Sequence, residues 1–198
     1  MGDFVNVSKY KKLIGDRLYL SPRGSSSQEA LQYTQWMNDL GVTDYIGRTA
    51  MTVSVEGENE HLESARKNSN DRNFNIIDLK SDEFIGTVSL EKIEWISRSA
   101  ELGIFIGNKG FQSKGYGTEA ILIILDYAFN YLNLHSVHLS LISANERAHK
   151  CYLKCGFRDT GRLRDRIFIN GKRYDMLFMD ILSSEFSGDY IRNKEINT

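Results

Sequence analysis

The chain has 198 residues, 41% of them hydrophobic, which suits one large or two small globular units and excludes a disordered chain. Lys plus Arg number 25 against 26 for Asp plus Glu, and a net charge of −1 excludes bulk attraction to nucleic acid or anionic membrane. The two cysteines, Cys151 and Cys155, match neither zinc-ligand spacing nor a disulfide scaffold. On a helix they share one face as small buried hydrophobes.

The opening MGDFVNVSKYKK lacks the apolar stretch of a secretory signal and misses the myristoylation pattern at its sixth residue. The longest apolar run, AILIILDYAF, is broken by Asp126 and is too short to span a bilayer. A soluble cytoplasmic protein is expected.

Residues 17–22, RLYLSP, alternate and end at the only proline, as a first strand does. SSSQEALQYTQWMNDLG offers capping serines, a helical spacing from Ala30 to Leu40, and Gly41 as a stop. GENEHLESARKN reads as a short polar helix with His61 exposed. Residues 72–80 and 83–95 are strands joined by the turn Ser81-Asp82, and residues 99–107, SAELGIFIG, form another. Short joins predict antiparallel neighbours.

The loop FQSKGYGTEA follows, and then TEAILIILDYAFNYL. Its β-branched centre suits a strand, but Ala120, Ile121, Ile124, Ala128, Phe129 and Leu132 hold helical spacing throughout. SVHLSLIS is a strand, and NERAHKCYLKCGF a helix stopped by Gly156. FRDTGRLRDRIFING and KRYDMLFMDIL pair across NGK, a strong hairpin signal. The tail over 184–198 is polar and expected to fray. The fold class is α+β: one domain over 1–198 with a mixed, mostly antiparallel central sheet and helices on both faces.

The glycine loop sits between a strand and a helix. A helix N-terminus offers unpaired N–H groups and partial positive charge, and glycines with positive φ shape a nest of donors, so the loop suits a phosphate. Gly110 to Gly115 is followed by Tyr116, which fails the Walker A pattern. Gly115, Gly117 and Ala120 match the dinucleotide fingerprint but stand mid-chain after antiparallel strands. A glycine-rich helix start without a ligand is an equal reading of the loop alone.

Gln112, Gly115 and Gly117 spell Q-x-x-G-x-G, and Asn145, Ala148, Tyr152, Gly156 and Phe157 spell N-x-x-A-x-x-x-Y-x-x-x-G-F. This pair resembles the GNAT superfamily of acyl-CoA-dependent N-acetyltransferases. LIGDRLYLSP, SAELGIFI, LNLHSVHL and FINGKRYDMLFMDIL are similar to its RimJ/RimL-type branch, which includes ribosomal-protein and spermidine N-acetyltransferases. The resemblance runs from about residue 13 to 182. It implies that the strands over 101–106 and 136–142 lie side by side and splay apart. The pantetheine of acetyl-CoA would pair in that gap with the backbone of Ile104, Phe105 and Ile106. The N–H groups of Gln112, Ser113, Lys114, Gly115, Tyr116 and Gly117 would hold the pyrophosphate. Asn145 would bond the pantetheine, with Ala148 beside it, and Tyr152 would point at the sulfur.

Transfer of acetyl to an amine needs a deprotonated amine, a donor to the oxyanion and a proton or hydrogen bond for the leaving thiolate. Direct attack in a ternary complex needs no covalent intermediate and no metal. Tyr152 is the expected donor to the thiolate, against plain core packing on the face it shares with Ala148, Cys151 and Cys155. Full proton transfer from a phenol (about 10) to a thiolate (about 8.5) is uphill by about 2 kcal/mol, so a hydrogen bond is the favoured form. Glu101 is the candidate base, directly or through water, against an exposed strand-end carboxylate. Glu119 reads as structural, favoured by the helix dipole. His135, His138 and His149 read as packed or solvent-facing.

The resemblance implies that residues 38–57 and the last hairpin flank the acetyl end, so acceptor choice is expected there. The early segment offers Asp39 and Asp44 and then YIGRTAMTVSV, which holds no acid, and this counts against a polyamine; Arg48, Arg162, Arg164 and Arg166 suit an anionic acceptor, or a solvated face. A non-catalytic acyl-CoA-binding module and a binder of another phosphate are the other readings. The resemblance allows monomers, a homodimer or larger rings.

Overall fold

The computed structural model describes residues 10–24, 27–67 and 70–193. Ser25 and Ser26 as caps, and the exposure of His61, fall outside what is described. The strands are β1 (Leu13–Ile14), β2 (Leu18–Pro22), β3 (Arg72–Asp78), β4 (Phe84–Glu94), β5 (Ser99–Ile106), β6 (Ser136–Ile142), β7 (Arg158–Ile169) and β8 (Lys172–Leu182). They form one sheet in the order β1-β2-β3-β4-β5-β6-β8-β7. Every junction is antiparallel except β5 with β6.

Helices α1 (Ser27–Met37), α2 (Leu40–Ile46), α3 (Val55–Lys67), α4 (Tyr116–Asp126) and α5 (Glu146–Lys154) cover the sheet. The strand period of two sorts its faces. Val88, Leu90, Leu102 and Val137 point into the main core with Ile121, Ile124, Leu125 and Tyr152 of α4 and α5. Phe84 and Phe105 point the other way, against Tyr33, Trp36, Met37 and Val42 of α1 and α2. The Phe105 ring meets Tyr33 at 5.6 Å and Trp36 at 5.8 Å, edge-on in both cases.

The apolar run after the glycine loop is helical, as its spacing predicts, and continues over Tyr127–Tyr131 with wider π-type turns. The last hairpin turns at Asn170 (φ 48) and Gly171 (φ 74), two left-handed residues that match the twist of the paired strands.

Two expectations fail. Gly41 does not stop α1: the helix ends at Met37, and Asp39 caps a new helix by accepting from the Gly41 N–H at 2.8 Å. The described part of the tail does not fray. Asp126, fully buried, accepts from the backbone N–H groups of Tyr190 (2.7 Å) and Ile191 (3.0 Å), and Arg192 pairs with Asp16 at 2.9 Å. Among the described residues no helix is long and apolar enough to cross a membrane.

Candidate active site

β5 and β6 pair only at Ser99↔Ser136, Ala100↔Val137 and Glu101↔His138. Beyond Glu101 they part, and a cavity of about 770 Å³ opens between them. Gly107 N–H bonds to Ile85 of β4 at 3.0 Å. Alternation from there turns the backbone groups of Phe105 toward β4 and those of Ile104 and Ile106 toward the gap. Of these, the Ile106 carbonyl already accepts from Gln112 Nε2 at 2.8 Å.

The cavity brings together Glu101, the three residues Ile104, Phe105 and Ile106, and most of the glycine loop: Gln112, Ser113, Gly115 and Gly117. Asn145, Ala148 and Tyr152 reach it from α5. Lys114 and Tyr116 do not line it. Lys114 is exposed, and the Tyr116 hydroxyl donates to Asp78 at 2.7 Å, a bond that raises the Tyr116 pKa. Ser113 (φ 58) and Gly115 (φ 87) are both left-handed, which gives the loop the form of a donor nest ahead of the α4 N-terminus.

Asn145 caps α5: its Oδ1 accepts from Ala148 N–H at 3.1 Å, and its Nδ2 donates to the Tyr45 carbonyl at 3.2 Å. One lone pair and one N–H of its amide are left for a ligand. Tyr152 is 8% exposed, packs edge-on against Phe157 at 5.8 Å, and has its pKa pushed up by burial. It therefore stays protonated, a hydrogen-bond donor rather than a ready acid. Cys155 is buried, but Cys151 is only half-buried and lines the cavity, which corrects the expectation of two core cysteines. A hydrogen bond with Cys155 pulls the Cys151 thiol below its usual range, and Thr118 Oγ1 lies 3.2 Å from its sulfur.

The other end of the cavity is walled by one face of the sheet. Glu91 of β4 stands across from Glu101 of β5, and Asp71 lines the same space. Glu101 is paired with Lys92 at 2.7 Å. Ser89 donates to Glu91 at 2.7 Å, and a Cβ at Gly103 would come within 2.7 Å of the Ser89 hydroxyl, so glycine leaves room for this pair. Arg23 lies over the Tyr33 ring at 4.1 Å and is paired with Glu58 at 2.6 Å, whose pKa burial raises.

The acceptor residues named from sequence are mostly elsewhere. Asp39 pairs with Lys109 at 2.6 Å and Asp44 accepts from Thr49 at 2.8 Å; neither lines the cavity. Arg48 does, but Arg162, Arg164 and Arg166 are exposed on β7, and Arg162 is held by Asp175. His149 lies 2.8 Å from Asp159 on the outside of α5. Glu119 is structural as read, accepting from both the backbone N–H and Nε of Arg17. Glu91, Ser89, Asp71 and Arg17 carried no local signal; their place depends on strand pairing across the sheet. Among the described residues no three His, Cys, Asp or Glu side chains converge to hold a metal ion.

The pattern of the family described as acetyltransferase (GNAT) domain matches residues 17–158. A spermidine N(1)-acetyltransferase of Vibrio cholerae is 39% identical over 116 residues, 59% of this chain and 66% of that protein. A putative ribosomal N-acetyltransferase of Bacillus subtilis is 32% identical over 104 residues, 52% of this chain and 56% of that protein. The chain thus spans between about half and two thirds of the length of these two curated relatives. Over a longer span, the structure of a Vibrio cholerae spermidine N-acetyltransferase with CoA and spermine superposes with a TM-score of 0.78 at 30% identity, covering 85% of this chain and 97% of that one.

Proposed function

The chain belongs to the GNAT acetyltransferase family, and from that premise we propose that it transfers the acetyl group of acetyl-CoA to a primary amine by direct attack. The observation that carries this reading is the fork after Glu101↔His138, which opens a cavity bounded by the glycine loop, α5 and the sheet. Direct attack needs no covalent intermediate, so the two reactants meet in one site.

Acetyl-CoA would lie along the fork. Its pantetheine finds the gap-facing backbone of Ile104 and the N–H of Ile106, and its pyrophosphate finds the nest at Ser113, Gly115 and Gly117 before the α4 N-terminus. Asn145 and Ala148 flank the arm. Tyr152 donates a hydrogen bond to the thiolate as it leaves; its raised pKa favours that role over full proton transfer. Glu101 takes the proton of the amine, directly or through water.

For the acceptor, the family placement stands and the RimJ/RimL-type assignment gives way to a wider one, in which spermidine N-acetyltransferases figure among the relatives. Asp71, Glu91 and Glu101 line the proposed acceptor end, so the carboxylates missing from the early segment come from β4, β5 and the residue that precedes β3. They suit a cationic amine, and spermidine heads the candidates. The anionic acceptor loses its main support with Arg162, Arg164 and Arg166 outside the cavity. The test is acetyl-CoA consumption with spermidine, an amino sugar, an aminoglycoside and a peptide with a free N-terminus. Turnover with an amine supports the reading; CoA binding without turnover on any amine favours the binding module.

A further inference from the structure

We propose that Arg17, from the turn between β1 and β2, is a positioning residue that aims the cofactor loop, an inference that rests on the acetyl-CoA reading above. Arg17 holds three parts of the loop and its helix at once. Its backbone N–H and its Nε donate to the two carboxylate oxygens of Glu119, at 2.7 and 2.8 Å. Its Nη1 donates to the Lys114 carbonyl at 2.9 Å. Its guanidinium lies 4.8 Å from the Tyr116 ring centroid.

The bond to Lys114 sets the direction of the next N–H. In a trans peptide the carbonyl and the following N–H point in opposite directions. The Lys114 carbonyl faces Arg17, so the Gly115 N–H faces away from it. Gly115 lines the cavity while Lys114 and Arg17 do not. Arg17 therefore acts from behind the loop, turning a donor toward the space where an anion would sit.

The surroundings fit the arrangement closely. Gly115 has φ 87, and a Cβ there would meet Arg17 Nη2 at 3.0 Å. A Cβ at Gly15 would meet Glu119 Oε1 at 2.8 Å, so the β1–β2 turn must pass the α4 N-terminus as glycine. Tyr116 is fixed a second time through its hydroxyl on Asp78. A planar fork that bonds a carboxylate and a carbonyl together is a task for arginine, which lysine cannot repeat.

The test is calorimetry of Arg17→Ala and Arg17→Lys with CoA, dephospho-CoA and pantetheine, alongside steady-state kinetics. Misplacement of the loop should weaken CoA and dephospho-CoA alike, by about tenfold in Arg17→Ala, and leave pantetheine unchanged. KM for acetyl-CoA should rise by the same factor, with kcat and the amine KM held within about twofold. Arg17→Lys should recover only part of the loss. Wild-type CoA affinity in folded Arg17→Ala would overturn the proposal. So would a loss seen with CoA and absent with dephospho-CoA, which would mean contact with the 3′-phosphate instead. If Arg17→Ala does not fold, Glu119→Gln loosens the same anchor, and unchanged CoA affinity there counts equally against it. Wild-type protein that binds no CoA defeats the acetyl-CoA reading itself.

Discussion

Glu101 stands opposite His138 in the last register pair that joins β5 to β6. One residue further the strands no longer pair, so the carboxylate sits at the crotch of the fork with Glu91 beside it on β4. This places a candidate proton acceptor where an acetyl group held in the gap would end. Glu101→Gln keeps the shape and removes the base. It should lower kcat by about a hundredfold and leave KM for acetyl-CoA within about twofold. Initial-rate kinetics with both substrates varied check this, and an unchanged kcat removes Glu101 from the mechanism.

Tyr152→Phe should lower kcat by at least about tenfold while CoA affinity stays near wild type, since only the hydroxyl is lost. The pH dependence is also set. Burial raises the Tyr152 pKa, and burial with a hydrogen bond to Asp82 raises that of Tyr19. Both phenols stay neutral in the fold above their unfolded value of about 10, so the stability they contribute is present below that pH and is lost as pH rises beyond it. Absorbance titration at alkaline pH should show these two ionising together with unfolding rather than before it.

Gly103→Ala tests the acceptor wall. Its Cβ would come within 2.7 Å of the Ser89 hydroxyl and 3.1 Å of Glu91, displacing the pair proposed to face the amine. The amine KM should rise about tenfold with KM for acetyl-CoA unchanged. A rise in both would place this wall in the cofactor half.

Asp126→Ala removes the buried acceptor of the Tyr190 and Ile191 N–H groups and of Asn130 Nδ2. Leaving a buried donor unpaired costs about 1–3 kcal/mol, so the variant should lose roughly 3 kcal/mol in denaturant melts. The segment after residue 186 should also become the first site of proteolysis.

The sheet, its hairpins and the two motif helices were legible because strand alternation, helical spacing and the NGK turn are local signals. The break between α1 and α2 was not. Leu40 continues the spacing of α1, and the restart depends on how Asp39 caps the next turn. That capping also removed Asp39 from the acceptor list. The proposed cofactor half was readable as two motifs, since the donors it would offer are backbone groups shaped by glycine. The proposed acceptor half was not, because Glu91 reaches Glu101 only through the β4–β5 register and Asp71 reaches them only through the pairing of β3 with β4, and exposed arginines on β7 look the same in sequence whether they enter a cavity or not. The tail seemed free because its anchor, Asp126, reads as an interruption in an apolar helix.

The central claim is that the fork binds acetyl-CoA and delivers its acetyl group to an amine in the same cavity. Mass spectrometry of the amine after incubation with acetyl-CoA, paired with thiol release, tests it most directly. The account predicts an acetylated amine in equal amount to released CoA, with spermidine among the acceptors used, and loss of both signals in Tyr152→Phe. Thiol release without acetylated amine, or full turnover in Tyr152→Phe, would contradict it.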